Sequence, residues 1–275
     1  VKTYNGAIGL DVDKKPVETV LEWAKKQGKK TGVVVTSQVN HATPASYLAH
    51  NESRNNYNAI ADSYIDDGIK ADVILGGGWQ FFIREDRNLV NEFTSAGFHY
   101  IDNLQALDTL PKQAPVLGLF SDVGLPWALD DSNNNRLSLM TKAATKQLEN
   151  EQGYFLLVEA SQIDWAGHGN DIAAAMAEMS DLATTVEYLE QYVVNNPDTL
   201  VVLTADHSTG GFTIAANGKY EWNPTVLRTM QQSPHKIAKA LSTKDITIKE
   251  ASDLLNFEVT QAEVMRLQQA KYEAS

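Results

Sequence analysis

The 275-residue chain contains no cysteine. Disulfides and thiolate metal sites are therefore excluded, and the redox state of its compartment stays open. It also lacks any apolar stretch approaching the roughly 20 residues that a membrane-spanning helix requires. Basic residues are scarce, with 23 Lys and Arg against 35 Asp and Glu and a formal net charge of −12. That balance argues against nucleic acid or an anionic membrane surface as a partner, since both repel a strongly acidic protein. No internal repeat is evident. A hydrophobic fraction of 43% fits a globular protein, and a single domain of this length can bury a large core.

What is present is an alternation of apolar strands and helices. Val17, Val20, Leu21 and Ala24 fall at helical spacing, which predicts a helix over 17–26. After the break at Gly28 comes a β-branched run at 33–36, then a helix over 57–69 and a strand over 71–78 that runs into glycines. A strand over 116–120 and a helix over 137–149 follow. Apolar runs at 154–158 and 199–203 read as buried strands, separated by an alanine-rich helix over 172–194. The tail from Ile246 reads as two amphipathic helices. Strands alternating with helices predict an α/β fold with a mostly parallel central sheet covered on both faces, a three-layer sandwich. The run Gly76-Gly-Gly78 could cradle phosphate through backbone amides. Trp79 and Gln80 follow it, however, where a phosphate-binding loop needs lysine and a hydroxyl residue, so it reads as a tight turn.

The chemistry concentrates where two of these strands end. Val158-Glu-Ala-Ser-Gln-Ile-Asp-Trp-Ala-Gly-His168 and Thr204-Ala-Asp-His-Ser-Thr-Gly-Gly211 each deliver carboxylate and imidazole groups just past an apolar run. The carboxyl ends of strands are where open α/β sheets bind ligands. Zinc takes imidazole nitrogen and carboxylate oxygen, and magnesium prefers oxygen. Glu159, Asp164, His168, Asp206 and His207 are thus candidate metal ligands. An Asp-x-x-x-His spacing is equally that of a solvated helix face, and an Asp-His pair after a strand is also a turn or a helix cap.

Gly32-Val-Val-Val-Thr-Ser-Gln-Val-Asn-His-Ala-Thr-Pro-Ala45, Ala49-His-Asn-Glu-Ser-Arg54 and Gly118-Leu-Phe-Ser-Asp122, with the two blocks above, resemble the alkaline phosphatases in order and spacing. Among these the chain resembles the shorter bacterial enzymes of the cold-adapted marine kind, and the likeness runs along nearly its whole length. The resemblance implies hydrolysis of small phosphate monoesters with two zinc ions and one magnesium ion. It implies that Asp164 and His168 bind the first zinc, Asp206 and His207 the second, and Thr43 and Glu159 the magnesium. Arg54 would clamp two phosphate oxygens, a bidentate role that lysine fills less well. His41 and Trp165, positions that vary within the family, would sit beside the metals and phosphate and tune affinity. A periplasmic or secreted location is implied as well, with a homodimer as a candidate assembly. The alternatives are a related metallohydrolase, a phosphodiesterase or sulfatase, or an inactive metal-binding fragment. The net charge of −12 would repel an anionic substrate, so bound divalent ions and Arg54 must reverse the field locally.

The chain also departs from the family. The nucleophilic serine belongs to an Asp-Ser-Ala motif, which does not occur. Asp62-Ser63 runs into Tyr64 within a helix-like stretch, and Asp131-Ser132 runs into an asparagine-rich loop. An early Asp-Gly strand motif and a late Gly-His-Thr-Gly motif, which complete the family's metal shell, are missing too. The expectation is a single partial domain over 1–275, incomplete at both ends, with a peripheral helical lobe over 222–275. On its own it would have little or no phosphatase activity.

Overall fold

The β-branched run Val33-Val-Val35 has no polar side chain to turn toward water, so the strand carrying it is buried on both faces. In the computed structural model this is β1 (Lys30–Gln38), buried from Thr31 onward. It pairs in parallel with β2 (Val73–Gly77) and β5 (Tyr154–Glu159). β3 (His99–Ile101) and β4 (Val116–Leu119) extend the sheet on the β2 side, giving the order β3-β4-β2-β1-β5 with every ladder parallel. Residues 1, 213–217, 222–223, 243–244 and 274–275 aside, the structure describes the whole chain. Val1, Trp222 and Ser275, which bound the expected domain and lobe, lie outside the described residues.

Strand side chains alternate between faces, and they sort into two cores. Val33, Val35, Ile74, Leu117 and Leu119 pack with α1 (Val20–Lys26), α2 (Ala42–Leu48), α3 (Tyr57–Asp66) and α5 (Leu89–Ser95). Val34, Val73, Leu75 and Val116 pack with α6 (Arg136–Leu148) and a short 3-10 helix, Leu104–Thr109. Between β2 and α5 lies the single turn α4 (Trp79–Phe82). This parallel sheet with flanking helices is the α/β class that the sequence predicts. Thr19 starts α1 with a full capping box to Glu22, so the helix begins later than its apolar spacing suggests.

One strand expectation is overturned. Residues 199–203 form no strand among the described residues, and Leu200 is 86% exposed rather than buried. Apolar and β-branched content favours an extended backbone, but a strand also needs a neighbour to pair with. Among the described residues no strand pairs with the outer edge of β5, which is itself only half-buried throughout.

The chain divides into two compact units: residues Val1–Pro126, Asn135–Ser161 and Asp181–Leu200, and residues Trp127–Asn134, Gln162–Ser180 and Val201–Ser275. The first contains the sheet. The second contains α7 (Gln162–His168), the start of α8 (Ile172–Asn195), and α9 (Thr225–Thr229), α10 (Pro234–Ser242), α11 (Ile248–Leu255) and α12 (Gln261–Glu273). Its packing is thinner, built on Ala166, Ala174, Ala175 and Trp127. Polar ties supplement it: Ala128 N–H donates to buried Glu178, and Asp130 accepts both the N–H and hydroxyl of Ser233 at the start of α10. Among the described residues no helix is long and apolar enough to cross a membrane.

Within the first unit a buried ion pair joins α6 to α8. Arg136 and Asp181 are 0% and 1% exposed, with Arg136 Nε 3.4 Å from Asp181 Oδ2. Leu137 N–H donates to the same carboxylate at 3.1 and 3.2 Å. Burial pushes the Asp181 carboxyl above its usual range, against the pull of these partners. Removing one half of such a pair strands the other charge in the core. Asp181→Ala should therefore cost about 3–5 kcal/mol, read as a lowered midpoint in thermal unfolding followed by circular dichroism.

A second cluster sets a pH dependence. Lys70 Nζ lies 2.9 Å from Glu22 Oε1, His50 Nε2 lies 3.0 Å from it, and Thr19 N–H donates to Oε2. Burial alone would raise the Glu22 pKa, but hydrogen bonds from Lys70, Thr19 and His50 outweigh it and hold the group at about 2, below its ordinary 4.5. A depressed carboxylate stabilises the fold above its unfolded-state pKa, and the contribution is lost as pH falls through the folded value. Stability should thus decline between about pH 4.5 and 2. Glu22→Gln should lack that component when acid unfolding of the two proteins is compared.

Candidate functional site

The candidate residues fall on both compact units. In the first, His41, Thr43 and Glu159 lie at the carboxyl ends of the adjacent strands β1 and β5, the usual ligand-binding edge of a parallel sheet. β1 ends at Gln38, and His41 occupies the cap position before α2, with extended backbone angles and no capping hydrogen bond from its side chain. Thr43 sits half-buried in the first turn of α2. Glu159 closes β5 in register with Val35, and its Oε2 accepts the Ser161 hydroxyl at 2.6 Å.

Arg54 lies in the loop before α3, and this loop is tightly held. Arg54 N–H donates to Gly6 O at 2.7 Å, while Asn51 Oδ1 accepts from both Ser53 N–H and the Asn56 amide. The Arg54 side chain is exposed, and its Nη2 lies 3.4 Å from His41 Nε2. A guanidinium can only donate, so His41 Nε2 is the acceptor in this contact.

In the second unit the four-residue spacing of Asp164 and His168 resolves as a helix face. Both lie on α7, with His168 Nε2 3.5 Å from Asp164 Oδ1. Asp206 and His207 lie in irregular backbone, and His207 Nε2 is 3.7 Å from Asp164 Oδ1 and 3.5 Å from Asp206 Oδ2. Thr209, in the left-handed region at φ 55°, adds a hydroxyl contact to Asp164 Oδ1 at 3.3 Å. The approach of Thr209 to α7 depends on Gly167, where a β-carbon would stand 2.8 Å from the Thr209 hydroxyl. Trp165, on the same helix, is half-buried.

These four side chains have the donor chemistry of a zinc site. Ligands of a tetrahedral zinc with bonds of about 2.0–2.1 Å stand about 3.3 Å apart, close to the 3.5–3.7 Å separations here. Even so, no group of three or more His, Asp or Glu among the described residues is arranged to hold an ion as it stands. His207 shows why. Its Nδ1 accepts Thr209 N–H at 3.0 Å, so in a neutral ring the proton is on Nε2, which faces the carboxylates. Coordination through Nε2 would move that proton to Nδ1 and break the Thr209 bond. The residue types are those zinc takes, and a bound ion would require His207 to give up its Thr209 hydrogen bond.

Sequence reasoning passed over Ser161, Thr209 and Gly167. Thr209 and Gly167 lie inside the quoted motifs, yet only the fold shows which of them touches Asp164 or leaves room for that contact. Asp62 and Ser63, set aside as a nucleophile pair, sit in α3 with Asp62 bonded to Arg84 at 2.7 Å and Ser63 donating to Ile60 O.

An alkaline phosphatase family model matches residues 1–274. The chain is 48% identical to alkaline phosphatase 4 of Bacillus subtilis over 98% of its own length and 60% of that protein. It is 33% identical to the repressible alkaline phosphatase of Saccharomyces cerevisiae, over 88% of this chain and 50% of the yeast protein. The crystal structure of a cold-active alkaline phosphatase from a psychrophilic Shewanella superposes with a TM-score of 0.91 at 47% identity, covering 99% of this chain and 67% of that one. A mutant TAB5 alkaline phosphatase with Mg bound superposes with a TM-score of 0.72 at 30% identity, covering 82% of this chain and 67% of that one. The chain thus spans about 60% of the length of the Bacillus relatives it matches.

Proposed function

The chain belongs to the alkaline phosphatase family, and on that premise we propose that the protein acts in metal-dependent hydrolysis of small phosphate monoesters. The observation that carries this reading is the clustering of Asp164, His168, Asp206 and His207 within 3.5–3.7 Å contacts, in a chain whose family match runs over residues 1–274. Asp164 with His168, and Asp206 with His207, would hold two zinc ions, and Thr43 with Glu159 a magnesium ion. When bound, such ions neutralise phosphate charge and make bound water more acidic. Arg54 would bind two phosphate oxygens through its planar fork, and its exposed guanidinium suits that role. His41 Nε2 accepts from one edge of that guanidinium at 3.4 Å, and Trp165 stands next to the ligand Asp164 in sequence. Ser161 would orient the Glu159 carboxylate through its 2.6 Å hydrogen bond.

Charge makes the metals and Arg54 a requirement. With a net charge of −12, the protein would repel a phosphate dianion without a strong local positive field. These residues bind metal and phosphate but include no activated serine, so little or no turnover is assigned to the 275-residue chain alone. A homodimer, a location outside the cytoplasm and a peripheral helical lobe over 222–275 complete the reading by family likeness.

The test uses the whole native protein with a phosphate monoester, a phosphodiester and a sulfate ester. Monoester turnover should dominate, vanish with a chelator and return with zinc and magnesium. A preference for the diester or the sulfate would reassign the reaction. In the same protein Asp164→Ala should weaken zinc binding by roughly 100-fold or more, since it removes the carboxylate on which three contacts converge. Calorimetric titration showing unchanged affinity would remove Asp164 from the metal shell.

A further inference from the structure

Two segments of the first unit, 40–41 and 54–57, are tied together twice. Asn40 Nδ2 donates to the Tyr57 carbonyl oxygen at 2.9 Å, and Arg54 Nη2 contacts His41 Nε2 at 3.4 Å. These two links and the intervening backbone close a ring through Asn40, His41, Arg54, Asn55, Asn56 and Tyr57. The ring thus joins Arg54 to Asn40, a residue inside the quoted 32–45 motif with no role assigned to it by the resemblance.

Asn40 is an expensive choice for a merely structural position. It is 0% exposed, and its Oδ1 has no hydrogen-bond partner among the described residues. A buried acceptor without a donor is destabilising, whereas an apolar side chain of similar size avoids the penalty. Turning the amide over offers no relief, because Oδ1 would then face the Tyr57 carbonyl oxygen, acceptor against acceptor. The oxygen is also confined on its other side by Gly78, where even a β-carbon would stand 3.2 Å away. A second tie holds the same stretch of chain: Tyr64, buried in α3, donates its hydroxyl to Val39 O at 2.8 Å. Both ties run from the β1 exit to α3, the helix that the Arg54 loop leads into.

From this arrangement we propose that Asn40 is a positioning residue for phosphate binding. Its amide sets the start of α3, and through it Arg54, against His41. The inference rests on the phosphate role assigned to Arg54 above. Local rules of stability are commonly broken where geometry serves function, and the unpaired Asn40 oxygen is such a breach.

The decisive experiment is a double-mutant cycle in the whole native protein, read with inorganic phosphate. Asn40→Leu should raise the phosphate inhibition constant and KM by about tenfold with a smaller effect on kcat, as expected when a binding group is misplaced by a fraction of an ångström. In an Arg54→Ala background the same substitution should change phosphate affinity less than about twofold, because the group it positions is gone. Tyr64→Phe keeps the ring in the core and removes only the hydroxyl. It should weaken phosphate binding in the same direction, and it serves if Asn40→Leu fails to fold. Equal losses in the two backgrounds, or an unchanged phosphate constant in the variants that fold, would overturn the proposal. Calorimetric titration with phosphate reads the same coupling without turnover, so absence of hydrolysis would count against the phosphatase reading alone.

Discussion

Strand β1 is hydrogen-bonded along both edges, to β2 and to β5, and packed on both faces between the two cores. It cannot shift without disturbing two ladders and two hydrophobic layers at once, so the backbone leaving its carboxyl end is delivered to one place. That end emits Asn40, His41 and Thr43. The ladder to β5 brings Glu159 level with Val35. The exit from β1 is further tied to α3 by Asn40 and Tyr64, which carries the constraint to the Arg54 loop. Precision at this edge is thus a property of the middle of the sheet, transmitted by short hydrogen bonds.

Charge is handled differently in the interior and at the candidate site. Inside, Arg136 and Asp181 neutralise each other out of water, and Glu22 is stabilised as an anion by Lys70, His50 and the Thr19 N–H. Each carboxylate in these networks is met by cationic or N–H donors, as ions withdrawn from water require. The Asp164 cluster has carboxylates beside imidazoles with much of its surface open to solvent, Asp206 being 85% exposed. Thr209 contacts both Asp164 and His207 in it. In the proposed function this open cluster would take a cation, with the Thr209–His207 hydrogen bond given up for the metal.

The alternation and periodicity of apolar runs were enough to read the α/β class and six of the helices, because parallel strands buried on both faces leave a continuous apolar signature in segments such as 33–35 and 73–75. The short elements escaped. β3 is three residues long and α4 is four, and neither is long enough to show a period. The strand reading of 199–203 failed for a different reason. Its composition is that of a strand, but pairing is decided by what lies alongside, and among the described residues it joins no ladder.

For the candidate site, residue types and their place after apolar runs pointed to Glu159, Asp164, His168, Asp206 and His207, while Thr43 and Arg54 came only from the family resemblance. The i, i+4 spacing of Asp164 and His168 even implied their shared helix face. Sequence could not show that Thr209 folds back onto Asp164, that Gly167 leaves it room, or that Asn40 reaches the Tyr57 carbonyl seventeen positions away. Those contacts join residues distant in the chain, and one of them ends on a backbone carbonyl that every residue possesses, so no local side-chain pattern announces them. The sequence by itself determined the family, the strand-helix alternation and the donor set. Tertiary structure alone decided which donors meet, at what distance, and which buried amide holds the arginine loop in place.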